Sequence, residues 1–580
     1  MSQFNNSTPI QYGENGITEY SWSNNLREKI IQLNFQLTRV KSKPVIDNLA
    51  LQTKTILKTL KNDYNNKLIN KQDFMLYLSV MYKMIGFTRD IISGKGEYNL
   101  SYMLLDVWHM YYPDLAKYAF KLFVLTPNQE DCPNNNQYSI HHPYGSWKDI
   151  KYSFSNNLDH PLKQYGMELL IDQIREDEKS TCPSLAAKWV PREKSKFSNL
   201  FERLALIYFN NYISTAIQEE TRVKAIKKAK TDFRKLISSL NKKLDTVQIK
   251  QCNNDWSNIC PNNQTSITLN KQMNAFLNIN KDGSQRSTKI DRINCANNFK
   301  DFIEQINVGE RTIKGKRICL TNFTKKALFL INNNQINSDC ASLLNAQWIN
   351  NSTQTKTLGK IIPMIDVSGS MQGESLHAAI ALGIRVAEKS IIGKRIMTFS
   401  AVPNWINLSD ANNFVEMVEK VSKSDWGMNA DFSLALDRIL EAIISEKLTP
   451  EDVEDMVLAI FSDMQIDTAN INIQQGSLMK IIEDKYAETG RKLWGRPFKP
   501  PHILFWNLRS TSGFPNLSIQ KNTSMMSGFN PSALNLFSDH GINGLDSYNP
   551  WSQLTQSLNN ERYKPLDDYI KMYFHTDSNM

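Results

Sequence analysis

The chain has 580 residues, 41% of them hydrophobic and 22% charged, the composition of a water-soluble protein with two or more domains. No apolar run approaches the roughly 18 residues of a membrane span, and the opening "MSQFNNSTPIQYGENG" has no secretory pattern, so a cytoplasmic location is expected. The formal charge of +10 is unevenly held: 47 Lys and Arg face 32 Asp and Glu as far as residue 350, whereas 21 face 26 from Asn351 onward.

Periodicity predicts amphipathic helices over 26–40, 71–92 and 99–125, where apolar residues recur every three or four positions. Short polar or glycine-bearing turns such as "SGKGEYN" separate them. A further long helix, open to interruption, is expected between Ser195 and Lys243. Stacked helical hairpins of a HEAT-like repeat would read this way. Residues 246–285, rich in Asn, Gln and Thr, predict loops and short helices. After "NNSTQTKTLGK" the pattern changes. The apolar runs "KIIPMIDVS", "KRIMTFS", "MVLAIFSD" and "HILFWNLR" have strand length and alternate with helical segments, which implies βαβ units and a mainly parallel sheet. Such strands are covered on both faces and so are continuously apolar. The chain therefore divides into an all-α part over residues 1–350 and an α/β, doubly wound, Rossmann-like domain over 351–580.

In open α/β sheets ligands bind beyond the carboxyl ends of the strands. Asp366 stands where "IIPMID" leaves the sheet, and Ser368 and Ser370 follow on the loop. A carboxylate and two hydroxyls are hard oxygen donors suited to Mg2+ or Mn2+. Asp463 ends another strand, "MVLAIFSD", and would orient waters held by the cation. The competing reading is that Asp and Ser at such a junction cap a helix or close an Asx turn. The seven cysteines are scattered, and none forms a C-x2-C pair, so neither a disulfide framework nor a zinc site is expected. The nucleophile elbow G-x-S-x-G, the H-E-x-x-H helix and the phosphate loop are all missing, so no enzyme is expected.

The stretch "DVSGSM" resembles the D-x-S-x-S pattern of the von Willebrand factor A domain's metal-ion-dependent adhesion site. That resemblance implies Asp366, Ser368 and Ser370 as ligands and matches Asp463 to the family's later aspartate. Where the family places a threonine, "WGMNADF" has Ala430, which offers no oxygen. Asn429 or Asp431 would compensate, or a partner's carboxylate would complete the coordination; Asp431 also suits a helix cap. Upstream, "FTRDIISGKGEYNLSYMLL" and "YGSWKDI" resemble segments of the helical TROVE module of the Ro ribonucleoprotein. Closer still is an uncharacterised family joining such a helical module to an A-like domain, which the chain resembles at "ENGITEY", "SLAAKWVPRE", "FRKLISSL", "AQWIN", "GMNADF", "FSDMQ" and "FWNLR". Tyr98 stands where the Ro segment has arginine.

The resemblance to Ro implies structured or misfolded RNA bound against the basic helical part. The sequence's own support is "TRVKAIKKAKTDFRKLISSLNKK", where Arg222, Lys224, Lys227, Lys228, Lys230, Arg234, Lys235, Lys242 and Lys243 face one acid, Asp232. Such density suits phosphate pairing. Val223, Ile226, Ala229, Phe233, Leu236 and Ile237 share the opposite, apolar face. The plain alternative is a solvated helix surface. A second functional expectation dispenses with nucleic acid: a protein-interaction scaffold whose partner's carboxylate binds at the metal site.

Overall fold

The hairpin Ile10–Tyr12 (β1) and Thr18–Tyr20 (β2) leads into helices Leu26–Gln36 (α1), Lys43–Asn65 (α2) and Lys71–Arg89 (α3). Asn25 and Asn70 cap α1 and α3 by accepting from the backbone N–H of Glu28 and Asp73. The run expected as one helix over 99–125 is two, Tyr98–Tyr111 (α4) and Pro113–Val124 (α5). Pro113 has no N–H to continue the first helix and a φ suited to starting the second. The expected helix between Ser195 and Lys243 is likewise interrupted, as Ser198–Tyr208, Asn210–Ser214 and Glu219–Leu244. The computed structural model describes residues 10–13, 18–127, 140–399, 402–424, 432–464, 475–511, 513–515, 522–537 and 549–576. None of the described helices is long and apolar enough to cross a membrane.

A six-stranded mixed sheet follows: Ile361–Asp366 (β3), Arg395–Phe399 (β4), Trp405–Asn407 (β5), Val457–Ser462 (β6), His502–Asn507 (β7) and Thr523–Ser527 (β8). Its spatial order is β5-β4-β3-β6-β7-β8, parallel throughout except for the edge strand β5. The winding reverses between β3 and β6, as in doubly wound sheets. Every residue of β3, β6 and β7 is buried, as continuous apolarity predicts for strands covered on both faces. Pro363 cannot donate to a ladder, and the pairing of β3 with β4 begins only after it, at Met364.

One sheet face packs on helix Glu374–Lys389, which Leu320–Asn332, Phe414–Ser422 and Asp339–Ser352 join in the same core; the other packs on Phe432–Ser445 and Gln475–Trp494. Two of the helices that share the sheet's core, Leu320–Asn332 and Asp339–Ser352, thus begin before residue 350. The two C-terminal helices, Pro550–Leu558 and Lys564–Thr576, lie in the N-terminal core instead, where Leu554, Leu566 and Ile570 join Leu78, Tyr82 and Phe120.

The "RD…GKGEY" and "YGSWKDI" segments make buried polar clasps. Asp149 accepts two 2.7 Å bonds from the Arg89 guanidinium, a third from the Tyr102 hydroxyl at 2.7 Å and a fourth from Ser146 N–H at 2.9 Å. Asp90 accepts two bonds from Arg562 and one from the Tyr563 hydroxyl, which draws the C-terminal segment onto α3. Lys95 donates to the carbonyls of Asn34 and Leu37 at the end of α1 and to the Ser527 hydroxyl on β8. Burial lowers its pKa to about 7 against the opposing pull of Glu97. Gly94 passes so close to the Phe87 carbonyl that a Cβ would lie 2.0 Å from that oxygen, and Gly96 has a left-handed φ of +70°. These two contacts account for the glycines of "SGKGEY".

Candidate metal centre

Strands β3 and β6 are parallel neighbours with Ile365 level with Phe461, so Asp366 and Ser462 end side by side at the carboxyl rim where the winding reverses. Asp366 is buried, with one carboxylate oxygen accepting Ser368 N–H at 2.9 Å and the other accepting the Ser462 hydroxyl at 2.6 Å. The first bond closes the Asx turn expected of a D-x-S loop. The Ser368 and Ser370 hydroxyls lie 3.1 Å apart at the accessible side of the loop. Asp463 follows Ser462 directly, is fully buried, and receives the Arg509 guanidinium through Nη2 at 2.9 Å and Nε at 3.1 Å.

Two carboxylates at one buried rim repel each other. Burial first, and the charge of Asp463 second, push the pKa of Asp366 up to about 6, against the lowering pull of the bonds from Ser462 and Ser368. The surroundings therefore favour a proton or a cation on this oxygen. The donors are all oxygen, and adjacent ligands of an octahedral Mg2+ at about 2.1 Å lie about 3 Å apart, the spacing of the two serine hydroxyls. The residues present fit a small hard cation. Among the described residues no group of three or more His, Cys, Asp or Glu gathers, so hydroxyls and water would have to complete the coordination.

Asp366, Ser368, Ser370 and Asp463 are thus brought to one place. Asn429, Ala430 and Asp431 lie outside the described residues. Two residues belong to the site that the sequence reading did not place there: Ser462, legible once the ends of "IIPMID" and "LAIFSD" are set level, and Arg509, which reaches it through Asp463. Arg509 is positioned by a clamp from the helical part. Its N–H is accepted by Asn507, whose side chain donates to the Phe35 carbonyl. Gln36 accepts from Thr511 N–H at 2.8 Å and donates to the Gly513 carbonyl at 2.8 Å.

The basic helix Glu219–Leu244 lies apart from this centre. Its buried residues are Ala229, Phe233, Ile237 and Leu240. At 3.6 residues per turn, Lys224, Lys227, Lys228, Lys235 and Lys242 lie opposite that stripe, and all are exposed. Lys230 pairs with Glu202 at 3.1 Å, Arg234 with Glu193 at 2.7 Å and Lys235 with Asp232 at 3.9 Å. Arg222, Lys224, Lys227, Lys228, Lys242 and Lys243 have no carboxylate partner among the described residues. The expected apolar face needs one correction. Val223 is 57% exposed, and none of the first ten residues of the helix is buried.

Two families of unestablished activity match the chain. Residues 166–361 match a domain of unknown function (DUF2828), and residues 360–568 match another (DUF7788). A relative over most of the length is the uncharacterized protein L728 of Acanthamoeba polyphaga mimivirus, 26% identical over 518 residues, which span 84% of this chain and 80% of the viral one. The two matches meet where β3 begins.

Proposed function

We propose that this chain is a non-enzymatic RNA-binding protein, with a TROVE-like, HEAT-like helical part joined to a von Willebrand A-type domain. The observation that carries the reading is the outward stripe of Glu219–Leu244, about 27 Å long from Lys224 to Lys242, most of whose cations lack a counter-charge among the described residues. A phosphate backbone supplies those charges, releasing counterions as it binds. Structured RNA titrated by fluorescence anisotropy should therefore bind with an affinity that falls steeply with KCl concentration. Reversing Lys224, Lys227, Lys228 and Lys242 to Glu should flatten the log–log salt slope by roughly 3–4. Affinity that ignores salt, or survives this change, would rule the stripe out.

A second reading has its own observation, the four oxygen-bearing side chains gathered at the sheet rim. A Mg2+ or Mn2+ held there would offer an open coordination position to a partner protein's carboxylate. Asp366, Ser368 and Ser370 would hold the cation, and Asp463 would orient its waters. On that reading Asp366→Ala and removal of divalent cations should release the same protein partner in a pull-down.

A further inference from the structure

A second basic surface stands on other residues. Lys148 and Lys151 on the short helix Lys148–Tyr152 approach Arg192 and Lys196, on the loop between helices Ala186–Trp189 and Ser198–Tyr208, closely enough that all three neighbours, after burial, lower the Lys151 pKa. None of these four cations has a carboxylate partner among the described residues; Asp149, on the same helix, is turned inward onto Arg89. The ammonium groups lie against aromatic rings instead. Lys148 Nζ is 4.6 Å from the Tyr98 centroid and 5.2 Å from that of Tyr152. Lys151 and Lys196 stand 5.1 and 5.0 Å from Phe197. Tyr152 and Phe197 meet edge to face at 5.3 Å, and Tyr152 is 38% exposed. A ring face is the counter-charge a cation takes when no anion is near.

We infer that this patch binds a single-stranded polynucleotide, whose phosphates draw off Lys148, Lys151, Arg192 and Lys196 while unpaired bases stack on Tyr152 and Phe197. Cations interleaved with accessible rings are the elements of sequence-tolerant single-strand binding, whereas a duplex hides the base faces that the rings would take. An acidic peptide would satisfy the lysines and leave the rings unused. The patch adjoins the basic stripe, since Glu193, beside Arg192, is the partner of Arg234. This inference rests on the RNA-binding reading and specifies the strandedness and a contact surface.

The test uses the full chain with four probes: a 20-nucleotide oligo-U, an oligo-dT of equal length, a 20-base-pair RNA duplex and poly-glutamate. Oligo-U should bind at least tenfold more tightly than the duplex, and comparable oligo-dT affinity would extend the ligand class to DNA. Tyr152→Leu with Phe197→Leu should weaken oligo-U at least tenfold with the salt slope unchanged, and Tyr152→Phe should retain affinity. Lys148→Gln, Lys151→Gln and Lys196→Gln together, the first two half-buried and the third exposed, should reduce the slope by about 2 and serve should the ring variant fail to fold. Unaltered oligo-U binding in these variants, or duplex preferred over single strand, overturns this inference while leaving the stripe reading in place. Binding of poly-glutamate alone assigns the surface to an acidic protein, and binding of no probe sinks both readings.

Discussion

Asp149→Ala is expected to lower stability by roughly 3–5 kcal/mol, seen as a large fall in the urea midpoint, because it strands a buried guanidinium. Arg89 and Asp149 are each almost completely excluded from water, and the carboxylate accepts four bonds from three segments of the chain. Truncating it leaves the Arg89 charge, the Tyr102 hydroxyl and Ser146 N–H without their acceptor. The pair as a whole is a different matter, since desolvation offsets much of its Coulomb gain. Arg89→Met with Asp149→Leu should therefore recover much of the loss. If the double variant proves as unstable as Asp149→Ala, the clasp acts through geometry that apolar side chains cannot reproduce.

At the sheet rim the expected effect has the opposite sign. Asp366 has a folded-state pKa of about 6 against an ordinary 3.8, so its contribution to stability is complete below the ordinary value and lost as pH rises through 6. A shift of that size corresponds to about 3 kcal/mol. Without divalent cations, Asp366→Asn should thus be more stable than the parent at pH 7.5 and lose this part of the pH dependence. Mg2+ should raise the parent's melting temperature at pH 7.5, act much less at pH 5 where the proton competes, and leave Asp366→Asn unmoved. Arg509→Gln removes the guanidinium that shares Asp463, so it should lower stability in EDTA and enlarge the response to Mg2+. A destabilised Asp366→Asn at pH 7.5 would mean that the carboxylate's two accepted bonds outweigh its desolvation.

The strands easiest to read were those with both faces covered, since burial forces continuous apolarity on β3, β4, β6 and β7. Strand β8 escaped because its buried Thr523, Ser524 and Ser527 look like loop residues. Ser524 and Ser527 are tolerated through partners distant in sequence: Gln553 donates to Ser524 at 2.7 Å, and Lys95 to Ser527 at 2.7 Å. Strand β5 is three residues at an edge, too short for a period to show. The site was legible where chemistry sits at a strand's end, as at Asp366 and Asp463, and illegible where it depends on a clamp from another part of the chain. Arg509 is such a case, for nothing near "WNLR" announces that Phe35 and Gln36 hold the loop. Likewise Arg89, Asp90 and Asp149 could be matched to a motif, but their partners Tyr102 and Arg562 had to be seen.

Helices Pro550–Leu558 and Lys564–Thr576 fill gaps among segments made more than four hundred residues earlier. A chain emerging from the ribosome therefore leaves an unfinished apolar cleft until these two helices have been made. Closure over so long a separation is slow, and exposed cleft surface invites aggregation. Molecules shortened before Pro550 should accordingly depend on chaperones even for the half of the protein they contain in full.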